Sequence, residues 1–230
     1  MSTYLIIGGS SGIGRALAQH LADEGHTVHA TYHQHPVQHA TIRYHSLNVL
    51  EEAPLLDFLP ETIDGIAYCP GSIVLKPFAR IRPEDFMADL QLNTLGAIRI
   101  LQALLPRLKS SRQASVVLFS TVAVQLGLPF HTAVAVSKGA IEGLTRSLAA
   151  ELAPKVRVNC IAPSLTDTPL AAALLSTEEK RLAGAQRHPL KSLGQPEDLA
   201  RMAAFLLTDQ SRWITGQVIN VDGGLSAVRL

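Results

Sequence analysis

The run Gly8-Gly9-Ser10-Ser11-Gly12-Ile13-Gly14 is the part of this sequence whose residue types and spacing speak most directly of chemistry. It closes an apolar run, Tyr4–Ile7, and opens a helical pattern. Gly8, Gly12 and Gly14 remove side chains where a backbone must turn sharply and approach a ligand closely. A helix starting there presents free N–H groups and a partial positive charge, which suit a pyrophosphate. Ser10 and Ser11 add hydroxyl donors. Strand, turn and helix at the start of a βαβ unit are the context that separates a dinucleotide site from an ordinary tight turn. Histidines are a second chemically capable set. His29, His33, His35, His39 and His45 lie near one another in sequence. They lack the cysteine or carboxylate frame of a metal site, so a solvated strand-and-loop region and no metal are expected.

The elements that must position these residues follow from the hydrophobic pattern. Strands are expected at Tyr4–Ile7, Thr27–Thr31, Thr41–His45, Gly65–Tyr68, Ser115–Phe119, Arg157–Ile161 and Gln217–Val221. Most are continuous apolar runs, as in strands covered by helices on both faces. Helices are expected at Ile13–Glu24, Pro83–Leu108, Thr132–Leu152, Pro169–Gln186 and Pro196–Leu207. Pro83 suits a first helical turn. The polar segment His33–His39, broken by Pro36, reads as a surface loop. Alternating strands and helices imply an α/β, Rossmann-type, doubly wound and mostly parallel sheet of about seven strands flanked by helices. No internal repeat or low-complexity linker interrupts it, and one domain over residues 1–230 is the expectation.

The glycine turn resembles the T-G-x-x-x-G-x-G turn of the short-chain dehydrogenase/reductase family, with Ile7 in place of the threonine. Further segments resemble that family in the same order. Asn48-Val49 is similar to its adenine-contacting Asp-Val pair, and Tyr68-Cys69-Pro70-Gly71 stands for Asn-Asn-Ala-Gly, keeping only Gly71. Asn93 matches the mid-helix asparagine of the family's tetrad. Arg157-Val158-Asn159-Cys160-Ile161-Ala162-Pro163-Ser164, followed by Thr168, is similar to R-V-N-x-I-x-P-G-x-x-x-T with Ser164 for glycine. Thr215-Gly216-Gln217 and Val221-Asp222-Gly223-Gly224 resemble the C-terminal signature. The resemblance spans essentially the whole chain.

The resemblance implies a nicotinamide cofactor held by Gly8, Ser10, Ser11, Gly12, Ile13, Gly14, Tyr32, His33, Asn48, Val49, Gly71, Lys138, Pro163, Ser164 and Thr168. An acidic residue about 20 positions beyond the turn would hold a ribose 2′-OH and repel a 2′-phosphate. None lies between Thr27 and Leu50, where the strand closes on Tyr32-His33, so NADP is preferred, with NAD possible. No arginine or lysine clearly waits for the phosphate, and His33 is a partial substitute.

The family's engine is Ser-x12-Tyr-x3-Lys. Alignment on Val136-Ser137-Lys138-Gly139-Ala140 gives Lys138 the lysine position and Thr121 the serine position. The tyrosine position falls on Val134, which has no proton to give. The tyrosines are Tyr4, Tyr32, Tyr44 and Tyr68, all far upstream. Val134 and Lys138 are four apart and share a helix face. His131, Ser137, Thr121 and Lys138 remain to handle a proton, and His131 has the most suitable intrinsic acidity.

The resemblance therefore implies hydride transfer between nicotinamide and a carbonyl or alcohol at a non-standard site. A cofactor-binding pseudoenzyme with a regulatory or scaffold role, or non-redox chemistry, is the alternative. The Ala- and Leu-rich segment Ser164–Arg187, which covers the substrate in the family, implies an apolar or medium-sized one.

Composition narrows the partners. The chain has 230 residues, 47% hydrophobic and 17% charged, enough for one large core. A formal net charge of +1 gives no reason to expect nucleic acid or an anionic membrane. No stretch reads as a signal peptide or a bilayer span. Cys69 and Cys160 sit in apolar runs and read as buried free thiols in a reducing compartment, so the cytoplasm is the expected location. The long Pro83–Leu108 and Thr132–Leu152 patterns carry apolar residues beyond the needs of one sheet face, including Ala133, Ala140 and Leu144, and the family pairs such helices across subunits. A homodimer or homotetramer is expected.

Overall fold

The computed structural model describes residues 1–229. Its strands are β1 (Thr3–Ile7), β2 (Thr27–Tyr32), β3 (Ile42–Ser46), β4 (Gly65–Tyr68), β5 (Ala114–Phe119), β6 (Val156–Pro163) and β7 (Val218–Val221). They form one sheet in the order β3-β2-β1-β4-β5-β6-β7, with every neighbouring pair parallel. This is the doubly wound arrangement expected, and the strand order reverses its direction of growth between β1 and β4. Ligands in such sheets bind beyond the strand C-termini at that switch point.

Two-sided burial explains the continuous apolar runs. Successive side chains of a strand point to opposite faces. Leu5 and Ile7 of β1 join one core with Ile66, Val116, Leu118 and Val158. Tyr4 and Ile6 join the other, with Val28, Ala30, Val117 and Ile161. The helices α1 (Gly12–Asp23), α2 (Pro83–Leu90), α3 (Gly96–Lys109), α4 (Ala123–Leu126), α5 (Thr132–Leu152), α6 (Glu178–Gln186) and α7 (Pro196–Leu207) complete the chain. Ile100, Leu104 and Leu108 of α3 and Ile141 of α5 cover the first face. Leu17 and Leu21 of α1 and Leu199, Ala203 and Leu206 of α7 cover the second.

Three expectations are corrected. The single helix expected over Pro83–Leu108 is two helices joined by a π-helical turn, Gln91–Leu95. Tyr68 at the end of β4 donates its hydroxyl to the Leu92 carbonyl at 2.7 Å, satisfying an acceptor inside that turn. A Cβ on Gly96 would stand 2.4 Å from the same hydroxyl, so Gly96 admits the tyrosine. The helix expected over Pro169–Gln186 is a 3-10 stretch, Pro169–Leu175, followed by α6. The break falls at Ser176-Thr177, where the Thr177 hydroxyl accepts from the Lys180 N–H and starts a new helix. Finally, the histidines are not all solvated. His33, His35 and His39 are exposed, but His29 is buried on β2, stacked on His45 and sharing a 3.2 Å contact with it. Burial and the neighbouring cationic groups push His29 down to about 4.

The Arg-Val-Asn run of β6 has a structural role. Buried Arg157 donates to the Leu206 carbonyl at 2.9 Å and the Thr208 carbonyl at 3.0 Å, answering the unsatisfied C-terminal carbonyls of α7. Asn159 bonds the Ile214 carbonyl and the Gln217 N–H, fixing the approach to β7.

Candidate active site

The glycine turn sits between β1 and α1 as its sequence requires. Gly8 (φ 72°) and Gly12 (φ 50°) adopt left-handed conformations that favour glycine. A Cβ on Gly14 would lie 2.4 Å from the Gly8 carbonyl oxygen, so the first turn of α1 can close on the turn only without a side chain. Thr31 of β2 accepts the Gly8 N–H at 3.0 Å and pins the turn to the sheet. The Ser11 hydroxyl, at the helix start, makes no capping bond.

A cleft of about 400 Å³ opens above this turn. Gly8, Ser10, Ser11, Gly12, Ile13, Gly14, Tyr32, His33, Asn48, Val49, Gly71 and Thr168 all line it. Its lining includes neither a carboxylate nor an arginine or lysine. Asn48 shapes one wall by accepting the Leu50 N–H at 3.1 Å. The loop after β6 comes over the turn, with Thr168 carbons 3.4 Å from where a Gly12 Cβ would be.

A second cleft, also about 400 Å³, adjoins the first and shares Ile13, Cys69, Gly71 and Leu170 with it. Thr121, His131, Val134, Lys138, Pro163 and Ser164 line this one. No tyrosine does. Tyr68 is spent beneath the π turn, and burial pushes its hydroxyl far above the ordinary range. Val134 and Lys138 lie one turn apart on α5 and are both buried, at 6% and 7% exposure.

Lys138 reaches the junction of the clefts from α5. Its Nζ stands 3.6 Å, and the Asn93 Oδ1 3.3 Å, from where a Gly71 Cβ would be. Gly71 is thus the opening through which both groups reach the junction of the clefts. Burial drives Lys138 down to about 8, with Cys160, Asp89 and Cys69 pulling weakly the other way. The two thiols are themselves pushed up to about 12 by burial. Asn93 sits inside the π turn, its Nδ2 donating to the Asp89 carbonyl and to Ser72 Oγ at 3.0 Å. Its Oδ1 is buried and has no hydrogen-bond partner among the described residues. π turns inside helices recur at functional sites because they redirect a side chain without ending the helix.

His131, at the N-cap of α5, holds its Nδ1 2.7 Å from the Pro129 carbonyl. Thr121 accepts the Ala123 N–H at 3.3 Å.

Sequence reasoning missed three contributors. Asp89, buried on α2, accepts from Ser72 and from Ser137, the latter at 2.5 Å. Its signal was its place one helical turn before Asn93. Ser120 donates to buried Glu142 at 2.7 Å. His188, just beyond α6, is 3% exposed, lines the second cleft, and carries no sequence signal.

The sheet order and the position of the turn define a Rossmann-type α/β protein with two joined clefts. A family model described as enoyl-(acyl carrier protein) reductase matches residues 8–226. The chain is 32% identical to a tropinone reductase homologue of Arabidopsis thaliana, over 97% of this chain and 92% of that protein. It is also 32% identical to the 3-oxoacyl-(acyl-carrier-protein) reductase FabG of Thermotoga maritima, over 96% of each. Among solved structures, a short chain dehydrogenase family protein from Francisella tularensis superposes with a TM-score of 0.90 at 28% identity, covering 99% of this chain and 100% of that one. The chain belongs to the short-chain dehydrogenase/reductase family, a family of oxidoreductases.

Among the described residues, no helix is long and apolar enough to cross a membrane. Nor do three metal-capable side chains cluster there.

Proposed function

We propose that this chain is a nicotinamide-dependent oxidoreductase acting on a carbonyl or alcohol, with NADP preferred over NAD and with valine at the family's tyrosine position. The observation that carries the reading is the joining of the two clefts at Gly71, with Lys138 and Asn93 converging on the junction. The residues present fit the cofactor. The Gly8–Gly14 turn and the start of α1 take the pyrophosphate, and Asn48 and Val49 take the adenine side. Lys138 takes the nicotinamide ribose, and Pro163, Ser164 and Thr168 take the nicotinamide end. When bound, the nicotinamide supplies the hydride. A first cleft without a carboxylate favours the extra phosphate of NADP.

In the second cleft, Thr121 orients the substrate oxygen and Ile73, Leu75, Leu128 and Leu174 enclose an apolar or medium-sized body. Proximity and orientation supply much of the acceleration even where a positioned acid is lost. Titrating the chain with NADPH and a panel of aliphatic and cyclic ketones, followed by loss of absorbance, tests the reading. Turnover of at least one carbonyl supports it. Tight NADPH binding with no turnover anywhere in the panel would move the chain to the second reading, a cofactor-binding subunit with a regulatory or scaffold role. That reading is favoured by the lack of a tyrosine in the second cleft. The proposal includes a homodimer or homotetramer in the cytoplasm, with no nucleic acid, membrane or metal partner.

A further inference from the structure

Ser164 and His188 are 24 residues apart in the chain, yet Ser164 Oγ lies 2.8 Å from His188 Nε2. Both side chains line the second cleft. The other ring nitrogen, Nδ1, lies 2.9 Å from the Gly184 carbonyl, one of the acceptors left over at the C-terminal end of α6. A carbonyl cannot donate, so Nδ1 carries a proton in either charge state of the ring. Nε2 is therefore the nitrogen that exchanges a proton, and the Ser164 hydroxyl is its partner. The ring is fixed from behind as well. A Cβ on Gly223 would be 3.3 Å from His188 Cβ, and Gly223 (φ 61°) brings the C-terminal segment onto the imidazole.

We infer that Ser164 and His188 form the proton-delivering pair of this site, standing in for the absent tyrosine hydroxyl. The inference rests on the oxidoreductase reading. In the reductive direction the carbonyl carbon gains the hydride and its two electrons, and the oxygen takes the Ser164 Oγ proton. Ser164 regains a proton from Nε2 of the imidazolium. Neutral imidazole remains, still donating Nδ1–H to Gly184, and solvent restores its proton. In the oxidative direction each transfer reverses. Ser164 is the group that touches substrate, and His188 acts through it.

Charged and titratable groups share the clefts that His188 lines, Asp198 among them on the side of the C-terminal segment. Asp222 lies in the C-terminal segment behind the ring; against the effect of burial, hydrogen bonds from Ser226 and the Gly224 N–H hold that carboxyl below its usual range, and the histidine adds to them. Lys180 and Arg187 stand at the α6 side of the cleft, and Lys138 and His131 at the α5 side.

The test uses the full chain with NADPH and whichever ketone it turns over. Single-turnover rates are measured against pH for wild type, His188→Gln and Ser164→Ala. The inference expects roughly a hundredfold loss in each variant, within the usual range for a positioned acid. It also expects the alkaline fall in the wild-type rate to vanish in His188→Gln, with NADPH affinity changed less than about twofold. Nitrogen NMR of histidine-labelled apo protein gives a readout without turnover. The neutral ring should be the Nδ1–H tautomer, and its Nε2 resonance should move in Ser164→Ala. If His188→Gln fails to fold, Ser164→Ala, which keeps the Gly184 bond, carries the test. Unchanged rates and pH profile in a wild-type-competent enzyme would overturn the pair and leave the oxidoreductase reading standing. A wild type that binds NADPH but reduces nothing would overturn both.

Discussion

Lys138 Nζ and Asn93 Oδ1 meet at the same small opening, the space that a side chain on Gly71 would fill. One comes from α5 and the other from the π turn between α2 and α3, so the junction of the two clefts depends on three separate segments. Gly71 also lines both clefts.

The cofactor site yields the first prediction. Wild type should bind NADPH more tightly than NADH in fluorescence titrations, and Gly14→Ala should weaken both. A Cβ 2.4 Å from the Gly8 carbonyl forces the turn apart; overpacking of this kind costs about 1–3 kcal/mol of folding stability, and the displaced turn no longer presents its N–H groups to the pyrophosphate. Tighter NADH binding would reject the argument from Tyr32, His33 and the missing carboxylate.

Lys138 yields the second. Its amine is held down at about 8 by burial, against 10.5 for an unburied lysine. The unfolded chain therefore binds more protons than the folded one between those values, and stability rises with pH through that window. Below about pH 8 the buried ammonium is a fixed cost. Lys138→Met should raise the thermal midpoint of the cofactor-free protein at pH 7, by the equivalent of about 1–3 kcal/mol, with the gain shrinking toward pH 10. The same variant should bind NADPH more weakly. Scanning calorimetry at several pH values checks the sign, and a loss of stability at pH 7 would refute it.

Most of the fold was legible because the central strands β1, β4 and β5 are buried along nearly their whole length and read as continuous apolar runs, whereas the edge strands β3 and β7 are only partly buried. The glycine turn was legible because steric need at Gly8, Gly12 and Gly14 is local. Interruptions set by tertiary contacts were not legible. The π turn depends on Tyr68 reaching Leu92 from another layer, and Asn93 has no local mark of it. The Ser164–His188 pair was hidden for the same reason, since its partners join only after β6 and α6 have packed.

Assembly yields the third prediction. Val136, Ala140 and Gly143 are exposed on α5 at helical spacing, with Ser147 and Ala150 continuing the stripe. Ala133, expected to share that surface, is instead buried within its own chain. Light scattering at micromolar concentration should give a dimer or tetramer, and Ala140→Glu should shift it toward monomer. A monomeric wild type would end the assembly proposal.

The central claim is that this site transfers hydride without a tyrosine. The direct measurement is single-turnover NADPH oxidation by wild type, Lys138→Ala and Val134→Tyr across one carbonyl panel. Val134 faces the second cleft one turn from Lys138, where a tyrosine would join the lysine. Wild type should be slow but measurable, Lys138→Ala should lose the activity through poor cofactor positioning, and Val134→Tyr should be faster by roughly 10- to 100-fold on small carbonyls. Wild type and Val134→Tyr both inert, with NADPH bound normally, would contradict the claim.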